Sequence, residues 1–562
     1  MKLFKYYYEL YKLAGERLNV PLTVPTKLIA DVWGCSHRNV KLIIQKLEGK
    51  DWILWDSGVG RGNPSRVKLL VSPFSLIENE RLHEYKAALL DTNSVGNNKS
   101  MSVFGWERRP WETIDILRIP FYRPLGRLSP KNPLRRTNLH FLQLVCNRLV
   151  KIEGGRYVGD IALDWFHTKD YTTWTFILRK GVTFHNGKPL EAADVISSYE
   201  RLQYSYYEPL SQFIKSIRTE GSFEIRFELN EPNPQFLEIV AHPALSIFSE
   251  GENNIPMGTG PFRLLQNHLD ITILEANDYY FGERPYIDRV EAWVLNRGSY
   301  NELHSNEMEG LFHLQNYPFW KEAFVSWKTK ERYDPGGKII FFNEERMDVE
   351  VRCQLVNLLQ QYRIETDEIR KKGVRIGSLI KLDEETESVE IQENKRFTYN
   401  QTITIWTFNG AGNEEDAMAL KTFLIRKGIK VILHVVSFED IHKRESMVEA
   451  DLVLYEQPVL EARLASYVMV FQSLLSQFLW GNETRHYIQD LVKQSFQKDY
   501  IEDSQRTFFL LEKWLIDNGL FLPLYRWKQE VHYPDSLKQV HINDLGWVDY
   551  HKVWKINESD MV

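Results

Sequence analysis

The sequence predicts a multidomain chain, a small basic α/β head carrying a winged helix-turn-helix and a much larger two-lobed α/β body. Three observations predict it. A single apolar stripe at helical spacing, Val40, Ile43, Ile44 and Leu47, is followed at once by two short β-like runs around a turn of Ser, Gly, Arg, Asn and Pro. Residues 1–72 carry 12 Lys plus Arg against 6 Asp plus Glu, a net of +6, whereas the whole chain is −6, which leaves −12 for the rest. Far downstream, "TITIWTF" and "IKVILHVV" are β-rich runs separated by a helix-length segment ending at Gly428, the pattern of a parallel pair with a right-handed crossover.

At 562 residues the chain exceeds what one hydrophobic core serves, so several packing units are expected. The apolar fraction of 43% and charged fraction of 26% are those of an ordinary globular protein and argue against wholesale disorder. Cys35, Cys146 and Cys353 are odd in number and far apart, which gives neither a disulfide framework nor a zinc pattern and fits a reducing compartment. Charges at Lys2, Lys5, Glu9 and Lys12 interrupt any signal-peptide core, so a cytoplasmic location is expected. The longest uncharged stretch, 464–482, contains Ser466, Gln472, Ser473, Ser476 and Gln477 and reads as an amphipathic helix rather than a membrane span. No membrane partner is expected.

In the head, "TVPTKLIADVWGC" offers Leu28, Ile29 and Val32 as one apolar face, with Gly34 placed to end the helix. Ser36 is a good N-cap for the next helix. "WILW" and "RVKLL" then read as a hairpin wing around "DSGVGRGNPS". In a helix-turn-helix the start of the second helix enters the major groove, which directs Ser36, His37, Arg38, Asn39 and Lys41 toward double-stranded DNA, with Arg61, Asn63 and Arg66 flanking it from the wing. Arg and Asn are the side chains that make bidentate contacts to guanine and adenine edges. The alternative is a winged fold that meets another protein, in a cytoplasmic solute-binding or scaffold protein. "PFSLIENERLHEYKAALL" reads as a further helix, and the polar "DTNSVGNNKS" opens a linker. The head is accordingly taken as 1–90 and the linker as 91–110.

The stretch "CSHRNVKLIIQKLEGKDWILWDSGVGRGNPSRVKLL" resembles the N-terminal winged helix of SgrR-type transcriptional regulators. The body resembles the family 5 solute-binding proteins in "WTFILRKGVTFHNGKPLEAADV", in "MGTGPF" with the aromatic turn and proline-aromatic-x-Asp strand that follow, and in the βαβ pattern near its end. That likeness runs from Trp111 to about Trp554 and implies a periplasmic-binding-protein-like body of class II, oligopeptide-binding type, 111–562. Lobe I would hold about 111–295 and 520–562, and lobe II about 296–519. "FYRPLGRLSPKNPLRRTNLH" and the ending "NDLGWVDYHKVW" are similar to the SgrR-type body in particular.

Joined to a DNA-binding head, a solute-binding body becomes a sensor, and the resemblance implies a ligand-responsive regulator of transport-related genes. Peptide binders of the family carry Trp-x-x-Asp-Tyr, whose aspartate meets a peptide's amine. The matching region here, "ADLVLYEQPVLEARL", has Glu456 as its nearest carboxylate. Arg135 and Arg136 offer forked donors to an anion such as a sugar phosphate, with His140 joining them and Trp406 and Tyr455 closing the other side of the ligand. The competing reading gives both arginines ordinary structural ion pairs.

No phosphate-binding loop, nucleophile elbow or zinc-protease motif occurs, and the fifteen histidines show no ligand spacing. His185 reads as a structural hydrogen-bonder, and nothing brings any two of Asp115, Asp160 and Asp164 together as acid and base. No catalysis, cofactor or metal is expected. Ligand identity, sign of regulation and oligomeric state are left open.

Overall fold

The computed structural model describes residues 2–14, 21–33, 35–56, 65–71, 114–250, 256–294, 312–313, 327–365, 373–381 and 401–556. The chain divides into two compact units, Met1–Ile114 and Asp115–Val562.

In the first unit, α1 (Lys2–Leu13), β1 (Pro21–Val24), α2 (Thr26–Trp33), α3 (His37–Glu48), β2 (Ile53–Asp56) and β3 (Ser65–Leu69) follow one another. The strands form an antiparallel sheet ordered β1-β3-β2, with Ile53 opposite Leu69 and Asp56 opposite Arg66. Val40, Ile44 and Leu47 of α3 are buried at the expected spacing, and Tyr7, Leu10 and Tyr11 bring α1 onto the same core. The Tyr7 hydroxyl donates to the carbonyls of Trp52 and Val71, tying α1 to both strands at the open end of the hairpin. Burial raises its pKa, so it stays a donor. Ile29 is buried but Leu28, expected on the same face, is exposed, because α2 presents a narrower stripe than its composition suggests. The wing turn, Gly34, the helix expected before residue 90 and the linker 91–110 lie outside the described residues.

Among the described residues the body is built on three main sheets. One is ordered Phe262–Asn267, Ile271–Ala276, Arg289–Val294, Ile116–Phe121, the last pair parallel. A second, fully antiparallel, holds Ala162–His167, Thr173–Leu178, Glu224–Leu229 and Ile214–Thr219. The third has eight strands among the described residues. Its main path runs Phe312–His313, Phe521–Tyr533, Gly337–Phe342, Leu452–Gln457, Thr402–Phe408, Lys430–Val436, and Lys328–Tyr333 and Gly373–Arg375 also pair with Phe521–Tyr533. Thr402–Phe408 runs parallel to Lys430–Val436 with the helix Asn413–Arg426 between them in sequence, the βαβ unit read from the two β-rich runs.

Alternation along these strands separates two cores. Ile339, Phe341, Trp406, Phe408, Val453 and Tyr455 join the large core shared with the rest of the body. Ile340, Phe342, Ile403, Ile405, Leu452 and Leu454 face the other way, under the helices Val349–Glu365 and Asn413–Arg426. Phe521–Tyr533, expected with lobe I, belongs to this third sheet: its first residues pair with Gly337–Phe342 and its last six with Lys328–Tyr333. The chain after it does return to the first part of the body, where Trp547 packs on Phe121 at 5.1 Å. The expected boundary at 295/296 lies outside the described residues.

The "MGTGPF" segment shows why its glycines are needed. A Cβ at Gly258 would sit 2.0 Å from the Val145 carbonyl oxygen, and one at Gly260 would sit 2.5 Å from the Val145 carbonyl carbon. The strap thus lies directly on the end of the helix Arg136–Val145. His185 fixes it from the other side: its backbone N–H donates to Gly258, and its Nε2 lies 3.1 Å from the Gly260 oxygen. Burial lowers the His185 pKa to about 4, so a neutral ring donates this bond.

Candidate functional site

In the first unit, α3 places its polar residues opposite its buried stripe. Ser36 caps it in an extended conformation, its Oγ accepting from the Asn39 N–H at 3.4 Å. His37, Arg38, Asn39 and Lys41 are exposed on the first turn, and Arg66 is exposed on β3. The structure therefore groups Ser36, His37, Arg38, Asn39 and Lys41 on one helix start, while Arg61 and Asn63 lie outside the described residues.

In the body, the helix Arg136–Val145 starts against the third sheet. Arg135, at its N-cap, donates from Nη1 to the Asn409 carbonyl at 2.9 Å and from Nη2 to Asn409 Oδ1 at 3.0 Å. Its guanidinium lies 4.4 Å from the ring centroid of Phe438 and 5.2 Å from that of Phe408. Burial, with Arg123 nearby, lowers its pKa to about 10. Among the described residues no carboxylate comes within 4.0 Å of it. Arg136 behaves differently. It holds Asp334 through both guanidinium ends, at 3.0 and 2.6 Å, meets Glu456 at 2.5 Å, and donates to the Gln457 carbonyl at 3.2 Å. Burial works against its charge, but the two carboxylates prevail and raise its pKa. Arg136 is therefore a structural strut rather than an open anion donor, and Glu456 is spent on it.

Tyr455 joins the rings beside Arg135 through Phe408, which lies 5.2 Å from each of them. Its hydroxyl is 2.9 Å from His442 Nε2, His442 Nδ1 is 2.7 Å from the Phe438 carbonyl, and Tyr206 packs edge-on against His442 at 5.1 Å. Trp406 stacks on His434, its cross-strand partner, at 4.4 Å. It is buried there in the large core of the body. His140 is one turn along the helix from Arg136. It is buried against Trp547 and Tyr550, with Nδ1 3.1 Å from Asn543 Nδ2. The five expected ligand residues thus separate: Arg135 and Tyr455 share one cluster, Arg136 braces it, and Trp406 and His140 face other neighbours.

His140 instead lines a cavity of about 330 Å³ beyond the C-terminal end of the same helix, walled also by Arg148, Asp160, Tyr280, Glu461 and Lys552. Asp115, Asp160 and Asp164 are not brought together: the Asp115 backbone N–H donates to the Asp288 carboxylate, the Asp160 carboxylate accepts from Asn147 Nδ2 and the Arg148 N–H, and the Asp164 carboxylate accepts from the Trp165 N–H. Among the described residues no three His, Cys, Asp or Glu side chains are grouped for a metal, and no helix is long and apolar enough to cross a membrane.

Residues 2–89 match the model for the N-terminal domain of the sugar transport-related sRNA regulator, and residues 156–352 match the middle region of bacterial extracellular solute-binding proteins, family 5. The body has the fold of solved family 5 proteins. The oligopeptide-binding protein AppA from Bacillus subtilis, in complex with a nonapeptide, superposes with a TM-score of 0.66 at 17% identity over 79% of this chain and 100% of that one. A dipeptide-binding protein from Pseudoalteromonas, in complex with Met-Leu, gives 0.65 at 16% identity over 78% and 100%. The fold and the two matched models therefore give a body similar to solute-binding proteins behind an N-terminal domain similar to a regulator's. That order of domains is similar to the SgrR-type one: the chain is 26% identical to the HTH-type transcriptional regulator SgrR of Yersinia enterocolitica over 95% of its length and 96% of that protein's. It is also 25% identical to the uncharacterized protein YhjP of Bacillus subtilis over 99% of its length and 100% of that protein's.

Proposed function

We propose that this chain is a cytoplasmic DNA-binding transcriptional regulator whose body senses a small anionic solute, such as a sugar phosphate, and which controls transport-related genes. The observation that carries this reading is the exposed turn His37, Arg38, Asn39 and Lys41 opposite the buried stripe of α3, in a unit whose named relatives are transcriptional regulators. An α-helix presents such a turn to base edges in the major groove. The solute-sensing half is supported by the family 5 fold of the body and by Arg135, a cation held by a carbonyl, an amide and two rings. An anion arriving there would exchange the contacts to Asn409 for charge-assisted ones. Because Arg135 and Asn409 come from different parts of the body, that exchange would shift the population of closed forms.

An electrophoretic shift with the DNA upstream of its own gene, with and without glucose 6-phosphate, tests both halves. A specific, salt-sensitive complex whose affinity changes with the sugar phosphate supports the reading. No shift at low salt would favour the protein-contact reading of the head, and a shift indifferent to the solute would remove the sensing half.

A further inference from the structure

A strand at the end of a sheet leaves one row of backbone groups unpaired, and natural sheets guard such edges with charges, proline or bulges that discourage pairing with another chain. Edge strands elsewhere in the body are guarded in this way. Ile116–Phe121 carries Arg118 and Pro120, and Ile214–Thr219 carries Lys215 and Arg218. The register shifts within Phe262–Asn267 and within Ala162–His167, which also hold Arg263 and Asp164. Lys430–Val436 has none of these devices beyond its first residue. It closes the third sheet, keeps an unbroken register with Thr402–Phe408 along all 7 residues, and after Lys430 reads Val, Ile, Leu, His, Val, Val. Among the described residues no strand lies on its outer side, and Ile432 and Val435 are exposed.

One hydrogen bond fixes which backbone groups face outward. The Val436 carbonyl accepts from the Asn409 N–H at 2.9 Å, so Val436, and by alternation His434 and Ile432, turn both backbone groups toward Thr402–Phe408. Val431, Leu433 and Val435 therefore turn theirs outward, where no backbone partner meets them among the described residues.

A second copy of the same strand matches this pattern. With two antiparallel strands centred on Leu433, Leu433 meets Leu433 and Val431 meets Val435, and each of these residues donates one hydrogen bond and accepts one across the axis. Ile432 falls opposite His434, so no pair between the two ends sets like charges together. The ends agree as well. Lys430, exposed at the start of one strand, comes to the end of the other copy's strand that leads into Glu439, which is also exposed. A parallel arrangement would instead set Lys430 on Lys430. We propose that this edge is a self-association surface, through which two copies of the chain join their third sheets by antiparallel Lys430–Val436 strands about a two-fold axis at Leu433. The proposal rests on the sheet edge alone and not on the DNA or solute reading.

Sedimentation velocity of the full chain over about 1–100 μM tests this, a range suited to a small interface. A concentration-dependent dimer is expected. Leu433→Pro removes an outward N–H at an edge position where proline is tolerated, and should weaken the dimer at least about tenfold. Val435→Lys, a charge of the kind that guards other edges, should do the same, with circular dichroism showing that each variant keeps the fold. Lys430→Glu should also weaken the dimer, and adding Glu439→Lys should restore it, because exchanging the two charges leaves the ends complementary. A chain that is monomeric throughout the range, or a dimer that the folded Val435→Lys and Leu433→Pro variants leave unchanged, would overturn the proposal. So would slow amide exchange at Val431, Leu433 and Val435 in the monomer, since the edge would then be covered from within the chain.

Discussion

Arg38 and Lys41 are neighbours on the exposed turn of α3, yet they should fail differently. Arg38→Ala should cost about 1–3 kcal/mol on the specific duplex and relax base preference, whereas Lys41→Ala should weaken all duplexes alike and reduce the salt slope by about one. Anisotropy titrations at several salt concentrations, on specific and scrambled DNA, separate the two. Asp334 makes a different kind of demand. It is buried and is met by Arg136 through both guanidinium nitrogens, so Asp334→Ala leaves a cation partly stranded. The expected loss is about 3–5 kcal/mol in chemical denaturation, partly recovered when Arg136 is replaced by Met as well. The first pair was legible in the sequence because helix spacing alone assigns the exposed turn. The second was not: Arg136 and Asp334 are 198 residues apart, and Arg135 and Asn409 are 274 apart. Only the fold decides that one of two adjacent arginines meets carboxylates and the other an amide.

At the level of single elements, α3 follows from its sequence, since stripe, cap and hairpin agree. Ser36→Ala removes the one side chain that caps its first turn and should cost about 1 kcal/mol, seen as faster amide exchange in that turn than in the rest of the helix. α1 is harder to read, because a run of three tyrosines hides the face Tyr7, Leu10 and Tyr11 that packs it. The βαβ unit Thr402–Val436 was also legible, from β-rich runs flanking a helix-length segment. The strand Phe521–Tyr533 was not: its sequence says strand, but its partners, Gly337–Phe342 and Lys328–Tyr333, lie nearly two hundred residues earlier (521 − 333 = 188).

Over the whole molecule, buried titrating groups oppose one another. Burial raises Glu238 and Glu512 to about 7, from roughly 4.3 in an unfolded chain. Between those values the folded protein holds protons that the unfolded chain has released, so this contribution to stability falls as pH rises toward 7. Burial also lowers His185 and His442 to about 4 and His242 to about 3, and their contribution rises with pH up to about 6.5. Glu512, held by Ser378 and the Leu379 N–H, gives the cleanest test. The Tm of Glu512→Gln relative to the unmodified protein should climb as pH goes from 5 to 8. A fragment ending near Leu90, which retains the core of Tyr7, Val40, Ile44, Trp52 and Val67, should still bind DNA but lose any response to solute. Circular dichroism with a gel shift checks both.

The position of Phe521–Tyr533 inside the third sheet also sets an order of events during synthesis. Strands Gly337–Phe342 and Lys328–Tyr333 have no partner on that side until this stretch leaves the ribosome. The residues of the first unit's sheet are complete by Leu69, some 450 residues earlier (521 − 69 = 452), which at about 5–20 residues per second is roughly 20–90 s. A nascent chain would thus expose a finished head while its body still awaits a strand, so ribosomes stalled before residue 521 should display DNA affinity with no solute control.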